Sequence, residues 1–395
     1  MTHHPPRALR LQLIDYRNLR DELLQLDPGF TVLAGPNGAG KTNILEALVL
    51  LSTLRSFRST ELGPLVRAGA TAARITLWHD DPRAGVEGTL QVQLERRGER
   101  VRRQALADGK LVRKMGDFVG RLPAVLFTPE DLAVVRGGPG ARRKLLDRVA
   151  FGREPAHLAD VMAYDKAVRA RNRILRDAAR EGVDPSRRDD LLVGYETQIA
   201  QLGARIWTRR ARAVADLGPL FRADVQEIVP DLDARLVYRA RLEARTGPLA
   251  ETDRAAALAE GLRTRRLDDL QRGQTTTGPH RDDLSFLVGD QAAATFASQG
   301  QTRALMLAFK LAELRLARLD HGATPLLLLD DVSSELDQER TEALFARLTE
   351  QAAQCLLTTT SPQLLRLGAA ASVRVVQVRD GRLTAGPERG PPTSV

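Results

Sequence analysis

The sequence predicts an α/β protein: one head of mixed sheet and helices with an antiparallel β subdomain, built from both chain ends, and a helical arm inserted between them. Three observations carry this expectation. Short apolar runs bounded by turns fill residues 1–138 and return over 273–395, whereas 139–272 is rich in Ala, Leu and Arg and poor in β-branched residues. A Gly-rich loop near the N-terminus stands between an apolar run and a helical pattern. Four leucines ending in two acids lie near the other end of the chain.

Leu9, Leu11 and Leu13 alternate with polar residues as in a half-buried strand. Leu23–Leu26 and Phe30–Ala34 read as further strands around the turn Asp27-Pro28-Gly29. Gly35–Thr42 is Gly-rich, and Ile44, Leu45, Leu48 and Leu51 recur at helical spacing, which makes strand, loop, helix. Ile75–Trp78 and Leu90–Leu94, with a turn at Arg97-Gly98-Glu99, predict an antiparallel meander, and Leu122–Phe127 another strand. Beyond Gly137-Gly138-Pro139-Gly140, helices are expected over Arg142–Ala150, His157–Glu181, Asp189–Leu217 and Asp253–Arg272, with breaks at Asp184-Pro185-Ser186 and Gly218-Pro219. The two longest suit an antiparallel hairpin. Heptads are not sustained, which argues against an extended coiled coil. Strands return at Leu284–Val288 and Ala293–Ala297. A helix over Gln301–Leu319, a buried strand over Pro325–Asp330, a helix over Gln338–Thr349, and strands over Ala353–Thr359 and Val373–Val378 complete the pattern.

With 395 residues, 43% hydrophobic and 28% charged, the chain can bury a sizeable core, and roughly 150 residues per domain predicts about two to three domains. The single cysteine, Cys355, excludes an internal disulfide, a zinc hook and an iron–sulfur cluster, and suits a reducing cytoplasm. Aliphatic runs such as Leu326–Leu329 fall far short of the ~20 apolar residues a membrane span needs. The N-terminal stretch lacks an apolar signal core, and His3 and His4 read as a frayed end rather than a metal site. Lys and Arg total 59 against 50 Asp and Glu, a formal net charge of +9 that favours polyanionic partners. The excess is concentrated: 17 basic against 11 acidic residues from Gly140 to Asp216, and 8 against 3 from Gln93 to Lys114.

Gly35-Pro36-Asn37-Gly38-Ala39-Gly40-Lys41-Thr42 fits GxxxxGK[ST]. Its glycines let successive backbone N–H groups turn inward onto a phosphate chain, and the helix starting near Lys41 adds its positive end. Lys41 would then reach the β- and γ-phosphates, and the Thr42 hydroxyl would ligate magnesium. The octapeptide alone also occurs in chance Gly-rich turns; its place between an apolar strand and an amphipathic helix is what points to nucleotide. Leu326–Leu329 buries a strand from whose tip Asp330 and Asp331 emerge. Asp330 is expected to hold magnesium directly or through water, and Asp331 to polarise the water that attacks the γ-phosphate. Taken alone, the pair also has a lesser reading as an acidic helix cap after a core strand. Ser298-Gln299-Gly300-Gln301, directly before a helix starting at Thr302, forms a second anion-binding helix end, although most isolated Ser-x-Gly sequences are simple caps.

In chain order, the phosphate loop, Ser298–Gln301, the strand ending in Asp330-Asp331 and then Ser334-Glu335-Leu336-Asp337 resemble the ATP-binding-cassette (ABC-type) heads of the SMC and recombination-repair ATPases. Leu11–Asn18, Arg55-Ser56-Phe57-Arg58, Phe127–Leu132, Gly278–Leu284 and Asp330–Asp337 narrow the resemblance to the bacterial RecF family. It spans almost the whole chain, with specific motifs in the head and mainly length and helical character in the arm. The resemblance implies that Ser298–Gln301 is a signature motif contacting the γ-phosphate held by the opposite subunit, and that Ser334–Asp337 is a D-loop at the subunit interface. One phosphate loop and one signature per chain then require an ATP-dependent homodimer about a two-fold axis. Also implied are ATP and Mg as cofactors, a weak DNA-stimulated ATPase whose hydrolysis is the release step, duplex and gapped DNA and RecR as partners, and assistance in loading RecA. Asp331 is one methylene shorter than the Glu usual in transporter cassettes, which predicts slow turnover. No His stands in Thr358–Ser361, so that stretch has only a loose assignment. Pro129–Asp131 suits either the place of a Gln lid or a surface loop, and His280 has no evident role beyond its loop.

Arg55 and Arg58 suit a phosphate contact, a DNA contact or a surface loop. Arg96, Arg97, Arg100, Arg102 and Arg103 are further candidate DNA contacts, with Arg142, Arg143, Arg169, Arg171, Arg173, Arg209, Arg210 and Arg212 in the arm. Neutralising six phosphates would make log affinity fall with log salt at a slope of about −5. Asp165, Asp177 and Glu196 can offset several arm charges through helical pairs. Aromatic content of 4% disfavours base stacking and favours backbone contact. Three rivals remain. In a transporter ATPase subunit the interval of 257 residues from Lys41 to Ser298 is too long. In an SMC-like DNA tether the arm is too short and the zinc hook absent, and in a small-molecule kinase Ser298–Gln301 would lack a purpose.

Overall fold

The computed structural model describes residues 7–81, 86–177, 185–322, 324–331, 353–362 and 372–385. Two compact units result, one from 1–132 with 309–395 and the other from 133–308. The first unit contains β1 (Arg7–Tyr16), β2 (Leu19–Gln25), β3 (Gly29–Ala34), α1 (Lys41–Thr53), β4 (Ala72–Asp81), β5 (Val86–Arg97), β6 (Arg100–Ala107), β7 (Lys110–Leu111) and β8 (Ala124–Phe127). After α2 (Pro129–Val134), the second holds α3 (Pro139–Arg153), α4 (Ala156–Asp177), α5 (Pro185–Ile228), β9 (Ala234–Arg239), α6 (Glu243–Thr246), α7 (Arg254–Thr264) and α8 (Arg266–Arg272). Then come β10 (Asp283–Val288), β11 (Gln291–Ala292), α9 (Ala293–Phe296) and α10 (Gln299–His321), within which the chain re-enters the first unit. That unit closes with β12 (Leu326–Leu329), β13 (Gln354–Thr359), β14 (Val373–Arg379) and β15 (Arg382–Ala385).

Alternation builds the first sheet of the head. Leu11 and Leu13 of β1, Ile75 and Leu77 of β4, and Leu90, Val92 and Leu94 of β5 are buried on one face. The order β2-β1-β4-β5-β6-β7 is antiparallel throughout, and Arg97 faces Arg100 across the expected turn. The second sheet, β15-β14-β3-β13-β12-β8, is parallel apart from β15. Its central strands β12 and β13 are buried at every position, the pattern of parallel strands covered on both faces. Helix α1 touches β4 and β5 of one sheet and β8 and β13 of the other. It is accordingly buried from Ile44 through Ser52, and the one charge in that run, Glu46, is fully enclosed.

In the second unit α4 and α5 form the antiparallel hairpin. Asp160 of α4 meets Arg205 and Arg209 of α5, while Arg171 further along α4 meets Glu196 nearer the start of α5. Tyr164, Ile199, Ile206, Trp207, Leu258 and Leu262 pack between α4, α5 and α7. Four expectations need correction here. Helix α5 runs through Gly218-Pro219, because Leu217, Phe221 and Val225 are buried on one stripe and outweigh the backbone bond that Pro219 loses. Asp253–Arg272 is two helices, separated at Arg265. Ala293–Ala297 is not a strand: Ala293 and Ala297 are buried four residues apart and the segment turns as α9. The strand β9 interrupts the helical arm and pairs with β10, so the inserted unit extends to Ala308 instead of ending at Arg272. The helix expected over Gln338–Thr349 lies outside the described residues.

Candidate functional site

The site grows from the ends of the parallel strands. Strand β3 ends at Ala34 and the chain enters the Gly-rich loop, with Pro36, Asn37 and Gly38 exposed and Ala39 and Gly40 buried. Two glycines have steric reasons. A Cβ on Gly35 would lie 2.1 Å from the Val378 carbonyl oxygen. Gly40 has φ 114, in the left-handed region, and a Cβ there would meet Asn18 at 2.8 Å. The loop is pinned at Ala39, whose carbonyl accepts Asn18 Nδ2 and the Gly381 amide, both at 3.0 Å. Helix α1 then starts at Lys41, so its first N–H groups face the loop. Lys41 Nζ donates to the Gly35 and Pro36 carbonyls at 2.7 and 3.0 Å. Burial lowers its pKa, and Asp331 and Asp330 oppose that shift.

Strand β13 lies between β3 and β12 and joins the two motifs. Asp330 Oδ1 accepts the Thr42 hydroxyl at 2.8 Å and the Thr358 hydroxyl at 2.8 Å. Thr358 Oγ1 in turn accepts the Asp331 amide at 2.9 Å. Asp331 has φ 45, a strained conformation for a residue with a side chain, and it turns the backbone sharply at the strand end. Thr42 and Asp330 thus present hard oxygen donors side by side at a helix N-terminus, a donor set that suits magnesium, which takes few protein ligands and completes its shell from water and phosphate.

Ser298 and Gln301 form a reciprocal capping box at the start of α10. Gln301 N donates to Ser298 Oγ at 3.1 Å, and Ser298 N to Gln301 Oε1 at 2.8 Å. Ser298 and Gln299 are exposed, and Gly300 is half-buried. Ser334, Glu335, Leu336 and Asp337 lie outside the described residues.

The candidate DNA contacts divide. Arg55, Arg58, Arg96, Arg97, Arg100 and Arg102 are exposed, Arg97 paired with Glu95, and Arg58 turned to Asn43 of α1 at 2.7 Å. Arg103 is half-buried and donates to the Leu54 carbonyl; burial, then Arg55, lowers its pKa. Arg142 and Arg143 are corrections. Arg142 is buried on Asp283 at 2.8 Å and on the Gly137 carbonyl, and Arg143 donates to the Asp282 carbonyl at 2.8 Å, so both hold the arm's own loops. Arg171, Arg209 and Arg210 are likewise committed, to Asp269 and Glu196, to Glu154 and Asp160, and to Asp147, whereas Arg212 is exposed and paired at the surface with Glu251. Arg169 and Arg173 remain exposed.

The RecF/RecN/SMC N terminal domain profile matches residues 9–384. A DNA replication and repair protein RecF of Myxococcus xanthus is 41% identical over 389 residues, covering 98% of this chain and 99% of that one. The chain belongs to the RecF family. A solved structure of the recombination mediator protein RecF-ATPrS in the RecFOR pathway superposes with a TM-score of 0.87 at 26% identity, covering 98% of this chain and 100% of that one. An Smc head domain of Pyrococcus furiosus, at TM-score 0.54 and 16% identity, shares the fold, covering 96% of each chain. This RecF-family chain is therefore an ABC-type head with an inserted helical arm. Among its described residues no helix is long and apolar enough to cross a membrane.

Glu46 and Lys310 escaped sequence reading, and Thr358 and Asn18 were marked there only as parts of Thr358–Ser361 and Leu11–Asn18, without a role of their own. Thr358 follows an apolar strand and looks like any strand-end Thr. Lys310 is buried in α10, donating to the Leu126 carbonyl and to Glu313 at 2.8 Å each and lying 3.5 Å from Asp131. A helical Lys three residues before a Glu reads as a surface pair, and only the packing reveals its burial.

Proposed function

We propose that this RecF-family chain binds ATP with magnesium and uses it to close two copies around duplex or gapped DNA in recombinational repair, with slow hydrolysis as the release. The observation that carries the reading is the meeting of Thr42, Asp330 and Thr358 on one carboxylate oxygen beside Lys41. The loop N–H groups and Lys41 would hold the β- and γ-phosphates, and Thr42 and Asp330 would hold the magnesium ion, which supplies charge neutralisation on the phosphate oxygens. Asp331 would accept a proton from water as its oxygen bonds the γ-phosphorus and the β–γ bridging bond breaks, leaving ADP and phosphate. Ser298–Gln301 would complete the site from the second copy, using the exposed, capped start of α10 as its anion-binding end. The exposed Arg55, Arg100 and Arg102 support a DNA-backbone contact, and RecR and RecA would be the protein partners by family.

Sedimentation of the full chain with ATP and duplex DNA tests this reading. The parent should dimerise with ATP, Asp331→Asn should still do so, and Lys41→Ala and Ser298→Arg should not. Dimerisation of the last two at the parental level would refute the shared site.

A further inference from the structure

Beside the phosphate loop lies an open pocket of about 530 Å³, lined by Arg17, Asn18, Asn43, Arg58, Pro64 and Arg96 among others. Behind it Glu46 of α1 is fully buried, an expensive place for a carboxylate unless several donors meet it. They do. Arg17 donates Nε at 2.8 Å and Nη2 at 2.6 Å to its two oxygens, a bidentate fork, and spends Nη1 on the Pro64 carbonyl at 3.1 Å. Ser56 donates its hydroxyl to Glu46 as well, and the same Ser56 oxygen accepts the amides of Arg58 at 3.0 Å and Ser59 at 2.9 Å. Glu46 therefore fixes the 56–59 turn through one hydroxyl.

The two arginines end up with different freedom. Arg17 is used up as a strut between Glu46 and the pocket wall. Arg58 is 46% exposed, lies 4.0 Å from Glu46, and donates to Asn43 Oδ1 at 2.7 Å. Asn43 donates to Asn18 Oδ1 at 2.8 Å, and Asn18 holds the loop carbonyl of Ala39. A single run of hydrogen bonds thus leads from the buried carboxylate through the turn and Arg58 to the phosphate loop.

We propose that Glu46 is a positioning residue: acting through Ser56, it aims the Arg58 guanidinium at the anionic nucleotide in the phosphate loop. The proposal rests on the nucleotide reading above. No sequence signal marks Glu46, which looks like one polar position in an amphipathic helix.

The test is a fluorescence titration of the full chain, with magnesium, against the N-methylanthraniloyl derivative of ATP, with thermal unfolding followed for every variant. Arg58→Ala, Ser56→Ala and Glu46→Gln should each weaken binding by about tenfold, the size of one lost charge-assisted contact. Ser56→Thr, which keeps the hydroxyl, should restore it. Either upstream change added to Arg58→Ala should cost less than about twofold more, because all act through one group. If Glu46→Gln leaves Arg17 uncompensated and does not fold, Ser56→Ala, which keeps the Glu46–Arg17 pair, decides alone. Parental affinity in Ser56→Ala, or effects that multiply in the double variants, would overturn the proposal while Lys41→Ala still loses binding and upholds the nucleotide site. A parent that does not bind the derivative at all sinks both.

Discussion

The Thr42 hydroxyl donates to Asp330 Oδ1 at 2.8 Å although the two residues stand 288 positions apart. The contact exists because β13 pairs in parallel with both β3 and β12, which brings the loop after one and the acids after the other to the same edge of the sheet. Thr42→Val keeps the shape and removes the oxygen. It should abolish most of the gain in ATP affinity that magnesium gives, at least about tenfold. Calorimetric titration with and without magnesium measures this, and an undiminished magnesium effect would remove Thr42 from the metal set.

The Asp331 amide donates to the Thr358 hydroxyl at 2.9 Å, a backbone contact that a side-chain change at 331 leaves in place. Asp331→Asn should therefore bind ATP much as the parent does but turn over slower by a factor of about 10²–10⁴, the usual worth of a positioned base. Phosphate release under saturating ATP gives the answer; unchanged turnover would assign the base elsewhere.

Arg100 and Arg102 stand exposed on β6, whereas Arg142 is buried on Asp283. Replacing Arg100 and Arg102 by Ala should lower the slope of log DNA affinity against log salt by about 2 without changing thermal stability. Arg142→Ala should instead destabilise the fold by about 3 kcal/mol, because Asp283 loses its charged partner. Salt-dependent DNA binding and denaturant melts separate the two outcomes. A salt slope altered by Arg142→Ala in a stably folded protein would restore it as a DNA contact.

Burial pushes the His280 pKa from 6.5 down to about 4. Its Nδ1 takes the Tyr164 hydroxyl at 2.6 Å and its Nε2 faces the Thr275 carbonyl at 3.0 Å, which a neutral ring protonated on Nε2 satisfies. The folded state binds fewer protons than the unfolded one between these two values. The contribution is whole above pH 6.5 and is lost as pH falls toward 4, by on the order of 3 kcal/mol. Asp147 does not share this window: burial alone would raise its carboxyl, but Arg210 and His157 hold it down to about 2. Urea midpoints across that range should drop more steeply for the parent than for His280→Gln; parallel curves would contradict the assignment.

The site motifs were readable because each is local. A phosphate loop, a capped helix start and two acids after four leucines each need only a few consecutive residues to make sense. Thr358, Glu46 and Lys310 were not readable, since nothing in their neighbours along the chain distinguishes them from a strand-end hydroxyl or a solvated helix charge. The arm misled in the same way. Arg142, Arg171 and Arg210 counted toward a basic surface, and each is buried against carboxylates that lie tens of residues away in the chain.

Strand and helix periodicity, the loop chemistry and the low cysteine count follow from the order of residues alone, because backbone propensity and side-chain pattern act over one or two turns. Whether a charge is a partner for DNA or a strut for the fold depends on what packs against it. Pro219 inside α5, the extension of the inserted unit to Ala308 and the gathering of Thr42, Thr358 and Asp330 on one oxygen were all decided by tertiary packing, where burial of distant apolar surface outweighs local preference.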